Sequence, residues 1–247
     1  MPTASSGLLR ANLTVASGTA LSRLTGLIRI IIFGIVVGQT ALADAYDVAN
    51  NAPNVVYELL LGGILAATLV PLFTRHLHDG DDESVNAIAT FAIAALGIIT
   101  VIAIAAAPLI FRVFSLNPAS EIDADLFRQA GTILTRLLLL QIFFYGVTSI
   151  CTSILHARKQ FFAAAWTPVL ANIVTIASLL LVSRVSNIDP PTLDEVVDNK
   201  SLQWLLGMGS TSGIIVMTLG MFIALRRSGT ALICCQQLRR GLVGRYC

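Results

Sequence analysis

The sequence predicts an all-α, polytopic membrane protein, and three observations carry that prediction. Of 247 residues, 55% are hydrophobic and only 12% charged, and the mean hydropathy is +0.80, far from the averages of water-soluble domains. The apolar residues gather into segments of membrane length separated by short charged links. Those segments contain Gly, Pro and Ala and do not alternate apolar with polar residues, so they read as helices and not as strands of an outer-membrane barrel. A net charge of +2 says little, because in such a chain the position of the charges carries the information.

Six spans are expected, at about residues 12–38, 53–73, 85–111, 127–155, 161–182 and 204–225, each long enough for a hydrocarbon core of about 30 Å with some tilt. The first is too long and too charged for a cleavable signal peptide and is expected to stay in the membrane. Asp44 and Asp47 fall in the short connection after it, and Pro53-Asn54 opens the second span, which Gly62-Gly63 loosens. A charged loop from Arg75 to Glu83, an acidic link around Asp123, a tight turn at residues 156–160 and an acidic loop at 187–200 separate the others. Residues 1–227 form one six-helix lobe, and 228–247 form a basic tail too short in its apolar part to span. The tail either lies on the membrane surface or is the abnormal end of a truncated reading frame.

If the amino terminus is cytoplasmic, six basic residues (Arg10, Arg75, Arg158, Lys159, Arg226, Arg227) face inward against four outward (Arg112, Arg128, Arg184, Lys200). That bias places both termini inside, at the cytoplasmic membrane. The four cysteines form neither a secreted disulfide framework nor a C-x-x-C metal spacing.

The first span carries Arg23 and Arg29, each costing roughly 2.5–3.5 kcal/mol near a bilayer centre, which a plain anchor has no reason to bear. At about 100° per residue, Gly18, Thr19, Ser22, Arg23, Thr25, Gly26 and Arg29 share one half of the helix, with Leu21, Leu24, Leu27, Ile28, Ile31 and Ile32 on the other. Ile30 and Phe33 interrupt the polar half. The pattern predicts one face to lipid and one to a polar cavity that receives an anion. The alternative is that each arginine snorkels to an interface or pairs with Glu58. Arg136, a third of the way into the fourth span, is another candidate cation, and Glu58, one turn into the second, a candidate counter-ion or a plain helix-start acid. His76, His78, Asp79, Asp81 and Asp82 lie close together, but with neither zinc-finger nor calcium-loop spacing. No nucleophilic triad or phosphate loop occurs, and basic residues do not interleave with aromatics, so neither an enzyme nor a nucleic-acid binder is expected and no cofactor or metal is implied.

The runs Gly18-Thr19-Ala20-Leu21-Ser22-Arg23-Leu24-Thr25-Gly26-Leu27-Ile28-Arg29, Ala43-Asp44-Ala45-Tyr46, Ala52-Pro53-Asn54, Gly62-Gly63 and Val70-Pro71-Leu72-Phe73 resemble the opening of the MurJ/MviN lipid II flippases. Gln141-Ile142-Phe143-Phe144-Tyr145-Gly146 and Trp166-Thr167-Pro168-Val169-Leu170-Ala171-Asn172 are similar to the fourth and fifth helices of the actinobacterial branch. The resemblance implies a MOP-exporter lobe that moves lipid II across the bilayer by alternating access. It assigns substrate contacts to Arg23 and Arg29, with Ser22 beside them and Asp44 as the acid at the end of the first helix. Guanidinium groups suit that role, since they bind phosphate oxygens bidentately and stay charged.

Two positions depart from the family pattern. Ile30 stands where many members have an acid, and Tyr57-Glu58 where some have paired arginines. Members also have about fourteen spans, so the chain resembles the amino-terminal lobe only and is expected to be a fragment, one part of a split protein needing a second lobe, or a decayed copy. The rivals are a drug/ion antiporter or another polyprenyl-glycan flippase of the same superfamily, a magnesium-dependent prenyl-diphosphate enzyme using Asp81 and Asp82, and a non-transporting scaffold.

Overall fold

The computed structural model describes residues 3–58, 64–115 and 123–228, and among them every regular element is helical. The helices are α1 (Thr3–Val36), α2 (Ala41–Tyr57), α3 (Ile64–His78), α4 (Asp82–Ala105), α5 (Ala107–Phe114), α6 (Ala124–Leu138), α7 (Gln141–Ala157), α8 (Phe162–Val185), α9 (Leu193–Asp198) and α10 (Lys200–Arg227). Among the described residues five segments are long and apolar enough to cross a membrane: Asn12–Val36, Asp82–Ala105, Ala124–Ala157, Phe162–Val185 and Lys200–Arg227. A multi-pass membrane protein follows.

The expected boundaries need correction where caps override hydropathy. The expected span at 53–73 straddles residues 59–63, which lie outside the described residues, and it is the expected span without a counterpart among the five. Asp44 and Asp47 are not in a connection: Gly38 takes a left-handed φ of 71°, the Thr40 side chain accepts from the Ala43 N–H, and α2 begins there. Asp44 therefore sits in the first turn of α2 and not at the end of the first helix. Pro53 lies inside α2, and Glu58 caps its C-terminal end, where the helix dipole disfavours an acid. Asp82 and Glu83 belong to α4, because Asp81 accepts from the Ser84 N–H at 3.0 Å and caps it. The fourth expected span lies within the candidate span Ala124–Ala157, inside which α6 and α7 meet at Leu139 and Leu140, and α9 occupies part of the acidic loop. The tail 229–247 lies outside the described residues, while Cys151 is a buried free thiol in α7.

α10 is the central post. It packs along α8 and against α6 and α7, α8 in turn carries α1, and α2 rests on α6. A Cβ built on Gly213 would lie 2.6 Å from the Ala171 carbonyl oxygen and 2.6 Å from Thr175 Oγ1, so only glycine lets α10 approach α8 this closely. Two apolar clusters fill the ends of the bundle. One joins Val37, Leu42, Tyr46, Leu134, Leu138, Val196 and Leu202, and the other Phe73, Val85, Ile150, Ile154 and Met221. Between them runs a polar seam that satisfies hydroxyls inside the bundle: Thr211 donates to the Leu137 carbonyl at 3.2 Å, Gln141 donates to Thr211 at 3.4 Å, and Thr148 and Thr218 pair at 2.9 Å.

One end of the bundle is tied by Arg158, which donates to the Ser228 carbonyl at 2.8 Å and reaches Asp82 at 3.4 Å, joining the starts of α4 and α8 to the end of α10. Arg75, Lys159, Arg226 and Arg227 belong to the same end. His76 and Asp81 of the charged loop bond each other at 3.2 Å, and among the described residues no cluster of metal-ligating side chains forms.

Gly213→Ala should lower bundle stability by about 1–3 kcal/mol, since backbone and not a pliant side chain blocks the new methyl. A thermal melt of the purified chain checks this. Hydrogen bonds from Ser84, through its side chain and then its backbone N–H, and from His76 hold the Asp81 carboxyl below its ordinary pKa. A depressed carboxylate pKa gives stability above the unfolded value and loses it as pH falls through the folded one. The protection factors of the Ser84 and Val85 amides, corrected for the intrinsic pH dependence of exchange, should therefore fall on acidification, and this fall should vanish in Asp81→Asn.

Candidate functional site

The first helix is positioned by contacts to α8 that its polar half dictates. Trp166 donates its indole N–H to the Thr14 carbonyl at 3.0 Å, and Asn172 donates to the Ser22 carbonyl at 3.1 Å and to Thr25 Oγ1 at 3.0 Å. A methyl at Gly18 would come within 2.7 Å of the Trp166 ring, so the glycine there permits the contact. The opposite face, with Leu24, Leu27, Ile28, Ile31 and Ile35, is exposed as a lipid-facing surface requires.

Arg29 continues the stripe of Ser22 and Thr25 one turn further, past the last α8 anchor, and there α1 and α2 stand apart. The gap is a cavity of about 270 Å³ lined by Arg29, Ile30 and Phe33 of α1, Tyr46, Asp47 and Asn50 of α2, Thr175 and Leu179 of α8 and Ser210 of α10. Tyr46 is buried and hydrogen-bonds Ser210, and its ring lies 4.8 Å from that of Phe33, closing one wall. The Thr175 hydroxyl is used by the Ala171 carbonyl at 3.0 Å. Among the described residues Arg29 forms no salt bridge or hydrogen bond, although Asp47 shares the cavity. A half-buried guanidinium thus stands available beside hydroxyl and amide groups, an arrangement that can take a small anion by bidentate hydrogen bonds.

The structure brings one of the six expected site residues into this cavity and leaves five outside it. Arg23 is exposed about 9 Å down α1 from Arg29, on the flank that Gly26 and Ile30 share, so it lies below the cavity mouth and not in the lining. Ser22 is half-buried against α8 with its carbonyl engaged by Asn172. Asp44 is exposed in the first turn of α2, Glu58 is exposed at its far end, and Arg136 is exposed on α6 next to the break before α7. Ile30 and Phe33, which interrupt the polar half of α1, line the cavity.

Sequence reasoning missed Tyr46, Asn50, Thr175 and Ser210 as cavity residues. Ser210 had a signal, the run Gly207-Met208-Gly209-Ser210-Thr211-Ser212-Gly213 of mostly small residues inside an apolar span, which marks close helix contact. Tyr46 had only its place in the Ala43 to Tyr46 run.

Comparison with known proteins gives a consistent result. A family model described as lipid II flippase MurJ matches residues 34–245. The lipid II flippase MurJ of Burkholderia cenocepacia is 32% identical over 180 residues, which cover 71% of this chain and 34% of that protein. The probable lipid II flippase MurJ of Treponema pallidum is 27% identical over 184 residues, covering 70% and 33%. The chain thus spans about a third of the length of these curated relatives. A solved structure of lipid II flippase MurJ in an inward closed conformation superposes with a TM-score of 0.66 at 20% identity, over 85% of this chain and 41% of that one, which establishes the arrangement of helices.

Tyr46→Phe and Ser210→Ala should each destabilise the bundle by about 0.5–1.5 kcal/mol, and the double variant by less than their sum, because both remove one bond between α2 and α10. A double-mutant cycle on denaturant midpoints reads the difference.

Proposed function

This chain belongs to the lipid II flippase MurJ family, and we propose that it forms a lobe of a transporter that carries lipid II across the bacterial cytoplasmic membrane, with both termini on the cytoplasmic side. The observation that carries the proposal is the Arg29 cavity, a hollow at the junction of α1, α2, α8 and α10 into which one guanidinium faces without a salt bridge among the described residues. A diphosphate lipid head supplies a partner for the unpaired Arg29 guanidinium, and its prenyl chain stays in the bilayer while the head crosses through water.

Arg29 is the primary phosphate ligand in this reading. Arg23, one and a half turns below on the flank that leads to Ile30, is the group a head meets on entering or leaving. Ser22, Asp44, Arg136 and Glu58 remain candidate contacts for the larger head, whose sugars and peptide exceed a cavity of about 270 Å³. Alternating access requires one bundle to move against another around the site. The described helices make one bundle, so transport is assigned to its assembly with a second lobe. The protein acts as a carrier, with no bond made or broken.

The test replaces Arg29 and Arg23 singly by alanine in a two-lobed version of the protein, with binding of lipid II and growth of a flippase-depleted strain as readouts. Loss of charge-assisted bonds worth about 1.5–3 kcal/mol should weaken binding roughly 10- to 100-fold for Arg29→Ala, with growth lost and membrane insertion intact. Normal growth and unaltered affinity in both variants would overturn the assignment. Preferential binding of a cationic dye over lipid II would move the reading to a drug antiporter using Asp47.

A further inference from the structure

On the outer side of the bundle, away from the Arg29 cavity, lies a second hollow of about 670 Å³ between the N-terminal half of α8, the C-terminal half of α10 and Leu21 of α1. Its walls are almost wholly apolar, with Leu170, Ile173 and Ile223 all exposed, so at membrane depth it opens to the acyl chains. From Phe162 to Ile173 it follows α8 for 12 residues, about 17 Å at the helical rise, which is close to half of a hydrocarbon core of about 30 Å. The groove is one leaflet deep.

Its polar groups not already engaged within the protein lie at one end. Gln160 precedes α8 and Arg227 ends α10, both exposed, at the end of the bundle where the basic residues gather. Among the described residues Arg227 makes no salt bridge or hydrogen bond. Of the neighbouring cations, Arg158 holds Asp82 and the Ser228 carbonyl and Arg226 lies 5.1 Å over the Phe222 ring, while Lys159 is exposed outside the groove lining. Deeper in the groove the polar atoms are already spent, with the Thr167 hydroxyl on the Ala163 carbonyl and the Trp166 indole N–H on Thr14. Nothing there can read sugars or a peptide, which argues against the transported lipid as the occupant.

We propose that this groove is a site for an anionic phospholipid of the surrounding leaflet, its acyl chain along Trp166, Leu170 and Ile223 and its phosphate on Arg227 and Gln160. The lipid would fill the gap between α8 and α10 and brace α1 at Leu21, making the lobe's packing sensitive to membrane charge. Both the depth and the placement of Arg227, unpaired among the described residues, at the headgroup level match that chemistry.

The sequence has two tryptophans, so Trp204→Phe leaves Trp166 as the only indole. The full chain in this background is reconstituted in phosphatidylcholine vesicles containing a small fraction of either brominated phosphatidylglycerol or brominated phosphatidylcholine, whose bromines quench an indole on contact. The expected result is about fivefold more effective quenching by the anionic lipid, the worth of one arginine at an anionic surface. That preference should disappear in Arg227→Ala and persist in Arg226→Ala. Equal quenching by the two lipids, or a preference that survives Arg227→Ala or is lost equally in Arg226→Ala, overturns the proposal. So does the absence of quenching by either lipid, as when the tail or a second copy of the chain fills the groove.

Discussion

The close approach of α8 and α10 is the constraint on which the rest of this lobe depends. In a bilayer the apolar surfaces of two helices gain nothing by leaving lipid for one another, so association rests on packing and on hydrogen bonds between helices. Gly213 lets the α10 backbone reach the Ala171 carbonyl, and Thr211 and Thr218 lock α10 to α6 and α7 at the same time. With that contact set, α8 presents Trp166 and Asn172 to the first helix, and Thr175 and Ser210 become neighbours at the floor of the polar cavity.

That arrangement accounts for an arginine that hydrophobic burial alone forbids. Arg29 stands where α1 has passed its last anchor on α8 and α2 has turned away towards α6, so the guanidinium meets Tyr46, Asn50 and Asp47 across an open space. The cost of holding the charge there is offset by the nearby hydroxyl and amide dipoles and by the Asp47 carboxylate in the same cavity, and a bound anion would offset it further. The same logic separates the two hollows of the lobe. One offers a cation among polar groups, and the other a cation at the rim of an apolar trough, so they select ligands of different build.

Much of the architecture was legible in the sequence because bilayer physics acts on composition. Long apolar runs had to be helices, and the lipid face of α1 followed from helical spacing. The boundaries were less legible where local hydrogen bonds decide them. Hydropathy put the second span at Pro53, whereas Gly38 and the Thr40 cap start α2 twelve residues earlier, and hydropathy gave no sign that α6 and α7 divide at Leu139 and Leu140 within one membrane-length segment. Leu139 and Leu140 are as apolar as their neighbours, and nothing in their identity marks a break.

The sequence by itself determined that this chain is a helical membrane protein and that Arg23 and Arg29 share the polar half of its first helix, since charge and hydropathy are local properties read at a fixed angular period. Only the tertiary structure decided that Arg29 alone of the six expected residues lines the cavity, and that Tyr46, Asn50, Thr175 and Ser210 join it there. Those residues lie on four helices up to 181 positions apart in the chain, from Arg29 to Ser210, and it is the helix contacts, set by glycines and by donors seeking carbonyls, that bring them to one point.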